Sequence, residues 1–208
     1  MKFYLKRNTA FAFAILNTVP SFSFNTELLH SAVHKYDAHF HTAYLEYPEI
    51  PRGLLEAVAF SYTRIQHHQP NEAAHNSCLG MPETYGVMGL TENGKGFFKN
   101  NLKYVSVLSG ISKDELKENS ASSILGYAKA YSLLLAKTTN SGWNKHTTVL
   151  KALSELPQNT VQQDFALNSQ LYVIFWFLNH PVFQDEFQFP DHKIELPTLF
   201  GKENYKVL

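Results

Sequence analysis

The sequence predicts a mainly helical, all-α fold in a single domain, and three observations carry that reading. Leu55, Val58, Tyr62 and Ile65 recur at helical spacing and form one apolar stripe. Ser112 is followed three residues later by Glu115, the pattern in which cap and third residue satisfy each other's backbone donors. Residues 161–179 form a long apolar run stopped by His180-Pro181.

In chain order, the first segment has the layout of an export signal. Lys2, Lys6 and Arg7 precede an apolar stretch over residues 9–19, Pro20 breaks it, and Ser21 and Ser23 supply small residues before a cut after position 23. The stretch is too short for a membrane span, which needs about 20 residues. Residues 25–41 follow as a weak helix, with Asn25 or Thr26 as its cap. Pro51 suits the first position of the next helix, which is expected to reach Gln66. Residues 67–94 read as loop, with a short turn of structure around 85–90.

Helices are then expected over 97–108, from the Ser112 cap, from Ser120 or Ser122 to Ala136, and over 143–156, where Pro157 ends the run. The stretch 161–179 reads as the buried central helix and not a membrane span, because Asn168 and Gln170 interrupt its apolar core. Residues 193–208 read as a tail. The expected organisation is a signal over 1–23, a helical domain over 24–190, and a tail or linker over 191–208.

Composition narrows the function. Lys+Arg and Asp+Glu are both 18, so the chain is formally neutral. That argues against nucleic acid, which is gripped by a basic face. Removing a 23-residue signal leaves roughly 185 residues, enough for one sizeable core. Aromatics at 14 % suit a packed core or a groove that stacks on sugars. Cys78 is the one cysteine, so no intrachain disulfide forms, and a buried role is the ordinary one for such a residue. The 10 histidines, including His67, His68 and His75 near Cys78, match no closed zinc spacing. Gly89-x4-Gly94-Lys95 is followed by Gly96, so it is not a phosphate loop. No metal and no cofactor is expected.

Three blocks occur in a suggestive order: IPRGLLEAVAFSYTR at 50–64, SCLGMPETYGVMGL at 77–90 and SSILGYAKAYSLL at 122–134. Together they resemble the soluble lytic transglycosylase (SLT) domain, a lysozyme-like fold. The first two, with GKGFF-NNL, more closely resemble the N-terminal region of secreted bacterial N-acetylmuramoyl-L-alanine amidases. In those enzymes the lysozyme-like module precedes a zinc-dependent amidase domain. The resemblance implies an exported, periplasmic or secreted, peptidoglycan-binding module. Its implied partners are glycan strands and a downstream amidase domain, to which the C-terminal LFGKENYKVL would connect.

The departure from that family matters most. Aligned from Ile50-Pro51, the family's catalytic Glu falls on Tyr62 and its Ser on Thr63. Glycosidic cleavage needs a carboxylic acid that protonates the leaving oxygen, and a phenol titrating near 10 is a poor substitute. Ser123 stands where the family has Asn, whereas Gly86, Met88 and Leu90 match. The resemblance therefore implies a pseudoenzyme that binds glycan without cutting it. Tyr62, Tyr85, Met88 and Tyr131 are the expected glycan-binding residues. The alternative is an active muramidase or lytic transglycosylase using Glu56 or Glu83. Glu56 lies six residues before Tyr62, about 120° around the helix, so its ordinary reading is a solvated residue paired with Arg52. A further alternative is a structural module that binds a protein partner through its aromatic surface.

Overall fold

A computed structural model describes residues 26–69, 81–92 and 98–208, with side chains from residue 35 onward. The expected signal, Asn25, His75 and Cys78 lie outside the described residues. Among the described residues, ten helices and one two-stranded sheet make up the regular structure, so the chain is mainly helical. No helix among them is long and apolar enough to cross a membrane.

The first helix, α1 (Thr26–Glu46), runs past the expected end at His41. It buries Tyr36, Phe40, Ala43 and Tyr44, a stripe at helical spacing. Helix α2 (Leu54–Thr63) follows, and residues 54–60 are all buried, polar Glu56 included. A helix apolar around its whole circumference sits inside a fold, and α2 has that composition. It, and not the 161–179 segment, is the enveloped helix. Its end comes three residues before the expected Gln66. Arg64 and Ile65 take left-handed backbone angles, φ 55° and 59°, and their N–H groups close back onto Phe60 O and Ala59 O.

Strands β1 (Glu83–Tyr85) and β2 (Leu90–Glu92) form an antiparallel hairpin around residues 86–89. This is the short structure expected inside the long loop. His68 pairs with Gly86 and anchors the hairpin to the segment leaving α2. Asn101 ties the hairpin to the rest: Thr91 N–H donates to its Oδ1 at 2.6 Å, and its Nδ2 donates to Leu153 O at 2.9 Å.

Helices α3 (Asn101–Ser109), α4 (Lys113–Glu118) and α5 (Ser120–Leu135) then pack in sequence. The Ser112–Glu115 capping box opens α4 as expected. Asn119, rather than Ser120 or Ser122, caps α5 by accepting from Ser122 N–H at 3.0 Å. After α6 (Gly142–Leu153) comes α7 (Val161–Asn179), with Thr160 as its cap. Leu167, Leu171, Ile174, Phe175, Phe177 and Leu178 are its buried face, while Val161 and Phe165 are exposed. Phe177 and Phe183 of α8 (Pro181–Phe187) stack at 4.1 Å and both meet Phe60 of α2.

The C-terminal segment departs from the expected tail. Residues from 194 onward fold back as α9 (Leu196–Phe200) and α10 (Lys202–Val207). Ile194, Leu196 and Phe200 are buried, and Phe200 meets Phe175 and Tyr172 of α7 at 6.0 and 6.1 Å. Its apolar pattern, which suggested a connector, serves docking onto α7. Phe200→Ala should therefore lower the unfolding free energy by about 3 kcal/mol in urea titrations; a loss under about 0.5 kcal/mol, typical of a surface site, would mean the segment is not docked. Ser112→Ala should cost about 1 kcal/mol by the same measurement, through loss of the α4 cap.

Candidate functional site

The three blocks meet at the turn between β1 and β2. Gly86 and Gly89 both take positive φ, 68° and 65°. A Cβ on Gly89 would collide with the Cβ of Tyr62, and one on Gly86 with Ser123 Oγ and, at 2.8 Å, with Leu116 O. Only glycine allows both the backbone angles and the close approach. The turn is also bonded to its neighbours. Thr63 Oγ1 lies 2.7 Å from Val87 O and shares its proton with Ala59 O at 2.8 Å. Met88 N–H donates to Ser123 Oγ at 3.3 Å. Residues of α2, the hairpin and α5 thus close around one point.

Tyr62, at the end of α2, is partly buried and turns toward α7. Its hydroxyl donates to Gln170 Oε1 at 3.0 Å. The same oxygen accepts from Ser154 Oγ at 2.9 Å, and Gln170 Nε2 donates to Glu155 Oε1 at 2.9 Å. Glu155 is buried just beyond α6, and its backbone carbonyl accepts from Lys99 N–H at 2.7 Å. The Lys99 ammonium donates instead to Lys151 O at 3.1 Å. The Glu155 carboxyl is thus hydrogen-bonded by the Gln170 amide, and Lys99 interacts with it through space. Burial first, and then the charge of Glu155, push the phenols of Tyr62 and Tyr127 well above their ordinary range. Both stay protonated at neutral pH, and the single Tyr62 O–H is committed to Gln170.

The other expected site residues fall elsewhere. Glu56 is not solvated: only 7 % of it is exposed, and Tyr44 of α1 donates a short hydrogen bond to its carboxyl. The Tyr44 hydroxyl also accepts from Leu55 N–H at 3.0 Å, and Arg52 lies 4.8 Å over the Tyr44 ring. Glu56 faces α1 while Tyr62 faces α7 and the hairpin, so the two do not share a site. Burial raises the Glu56 carboxyl to about 7, against the pull of its Tyr44 hydrogen bond. Glu83 and Tyr85 lie on β1, where the Tyr85 hydroxyl donates to Glu83 and Lys117 sits 4.4 Å over the ring. Tyr85, Gln69, Lys117 and Glu118 line an open pocket of about 400 Å³.

Met88 and Tyr131 correct the expected set of glycan-binding residues. Met88 is 1 % exposed and Tyr131 is fully buried. The Tyr131 hydroxyl lies 2.7 Å from His146 Nδ1, inside the helical core. Neither side chain presents a surface to a ligand.

Ser154, Glu155 and Gln170 escape the reading of the blocks. Gln170 left one trace, as a polar residue interrupting the apolar run of α7. Among the described residues, no group of three or more His, Cys, Asp or Glu side chains could hold a metal ion. Comparison of the chain with protein-family models, curated proteins and solved structures finds no match.

The Glu56 carboxyl yields a prediction with a definite sign. Its folded value near 7 lies above the ordinary 4.5, so the native state binds more protons between those values. Stability from this group falls as pH rises through that window, and the loss is complete above it. His146, lowered by burial to about 4, contributes the opposite slope in both proteins and cancels in a difference. Glu56→Gln should therefore gain Tm over the wild type progressively from pH 5 to pH 8 by calorimetry. A pH-independent difference would contradict the buried protonated carboxyl.

Proposed function

We propose that this chain is an exported cell-wall module that binds peptidoglycan glycan strands without cleaving them. The carrying observation is that the three blocks resembling the soluble lytic transglycosylase domain, two of which also resemble cell-wall amidases, converge at residues 86–89, with Tyr62 bonded to Gln170 where the transglycosylase family would place its acid. Tyr62 and Gln170 are only partly buried and offer a phenol and an amide, with the buried Glu155 bonded to that amide. Those groups suit the hydroxyl and acetamido groups of a sugar, whose recognition rests on a few placed polar atoms. Tyr85 on the hairpin offers a ring next in sequence to Gly86. In this reading the periplasm or cell exterior is the destination, and a following amidase domain is the partner that the module positions.

Retention on purified peptidoglycan tests the reading. The chain should be held at low salt, and Gln170→Ala with Tyr62→Phe should weaken retention about tenfold, roughly 1.4 kcal/mol. No retention of the wild type would overturn the binding function.

One observation favours a second reading, glycan cleavage. The Glu155 carboxylate is joined to Tyr62 through Gln170, so an acid stands close to the position where α2 lacks one. Release of soluble muropeptides by the wild type, abolished in Glu155→Gln, would replace the binding reading with a catalytic one. Release abolished by Glu56→Gln or Glu83→Gln would do the same with a different acid.

A further inference from the structure

A second pocket lies at the opposite end of α6 from Ser154 and Glu155. It has a volume of about 320 Å³. One wall is the start of α6, with Ser141, Trp143 and Asn144; the other is the folded-back C-terminal segment, with Ile194, Glu195, Thr198 and Leu199. The pocket exists because residues 194–200 dock instead of trailing away as a linker. Phe175 and His192 meet Trp143 nearly edge-on, at 5.9 and 5.3 Å, and fix the orientation of its indole. Ile194 gives the pocket a buried apolar base. Around the rim stand two hydroxyls, an amide and a carboxylate, all on exposed residues.

We propose that this pocket is a second sugar-binding subsite, taking one pyranose ring of a glycan strand against Trp143. The chemistry is that of a polyol with one apolar side. An indole and aliphatic side chains cover the C–H face of such a ring, while Ser141, Asn144, Glu195 and Thr198 meet its hydroxyls. The volume lies at the low end for small-ligand sites, which suits a single ring and not a large aromatic cofactor. The proposal deepens the glycan-binding reading and rests on it for the class of ligand. Helix α6 has 12 residues and so is about 18 Å long. The Trp143 pocket is thus separate from the Tyr62 site, and one strand would need several sugar units to touch both.

The test is a titration of the isotope-labelled full chain with a soluble oligomer of β-1,4-linked N-acetylglucosamine, followed by amide and indole N–H resonances. Binding at the pocket should shift the Trp143 indole and the Asn144 and Glu195 amides, with the Trp176 indole as internal control. Asn144→Ala combined with Glu195→Ala changes exposed side chains and should weaken that response at least tenfold. Gln170→Ala should leave it intact. Shifts around Trp143 without shifts around Tyr62 would support the second subsite while removing the first. Shifts around Tyr62 alone, or a Trp143 response unaltered in the double variant, would overturn the proposal.

Discussion

The envelopment of α2 is the constraint on which the rest of the structure depends. A short helix whose residues 54–60 all lose contact with water must be covered on every side. The neighbours are Tyr44 of α1, Phe177 of α7, Phe183 of α8 and the hairpin turn at Gly89. Each cover brings its own chain segment into register. Burying the one charged residue of that stretch requires a partner, and the Tyr44 hydroxyl supplies it. That hydroxyl also bonds Leu55 N–H near the start of the helix, so one phenol fixes how α1 meets α2. Where the helix must stop, Arg64 and Ile65 adopt left-handed angles that β-branched isoleucine disfavours. The surrounding core holds that strain, because Ile65 is completely buried.

How far the fold was legible in the sequence depends on whether the signal was local. The α4 capping box and both ends of α7 are local patterns, and they were readable to the residue. The Asn119 cap lost out to nearby serines, which are equally good caps on composition. Glu56 shows the limit of a helical wheel. The wheel correctly separates it from Tyr62, but it assumes one solvated face, and α2 has none over residues 54–60. The C-terminal segment failed for a related reason: an apolar pattern says that something will cover it, not what. Here the cover is α7, through Phe200, Phe175 and Tyr172.

The candidate site was half legible. Gly86, Gly89 and Tyr62 stand in blocks that declare themselves, and the structure brings them together. The polar partners of Tyr62 come from the end of α6 and the middle of α7, more than 90 residues along the chain. Gln170 and Glu155 carry no motif. Their significance arises from burial beside one another, which is a tertiary property. Met88 and Tyr131 erred in the other direction: both belong to the blocks, yet both are packing residues. Membership of a recognisable string does not separate a side chain that touches a ligand from one that supports the wall.

The glycine turn bears on how the molecule would meet a partner. Ser123 and Tyr62 fill the places where side chains on Gly86 and Gly89 would stand, and Thr63 and Ser123 hold the intervening backbone. The hairpin therefore has little freedom to swing independently of α2 and α5. Residues 86–89 are themselves buried, so the turn is a rigid internal support, and the side chains it positions would lose little conformational entropy on engaging a ligand. Discrimination would then come from rigid exclusion of ill-fitting shapes, with the ordering cost falling on the partner that docks.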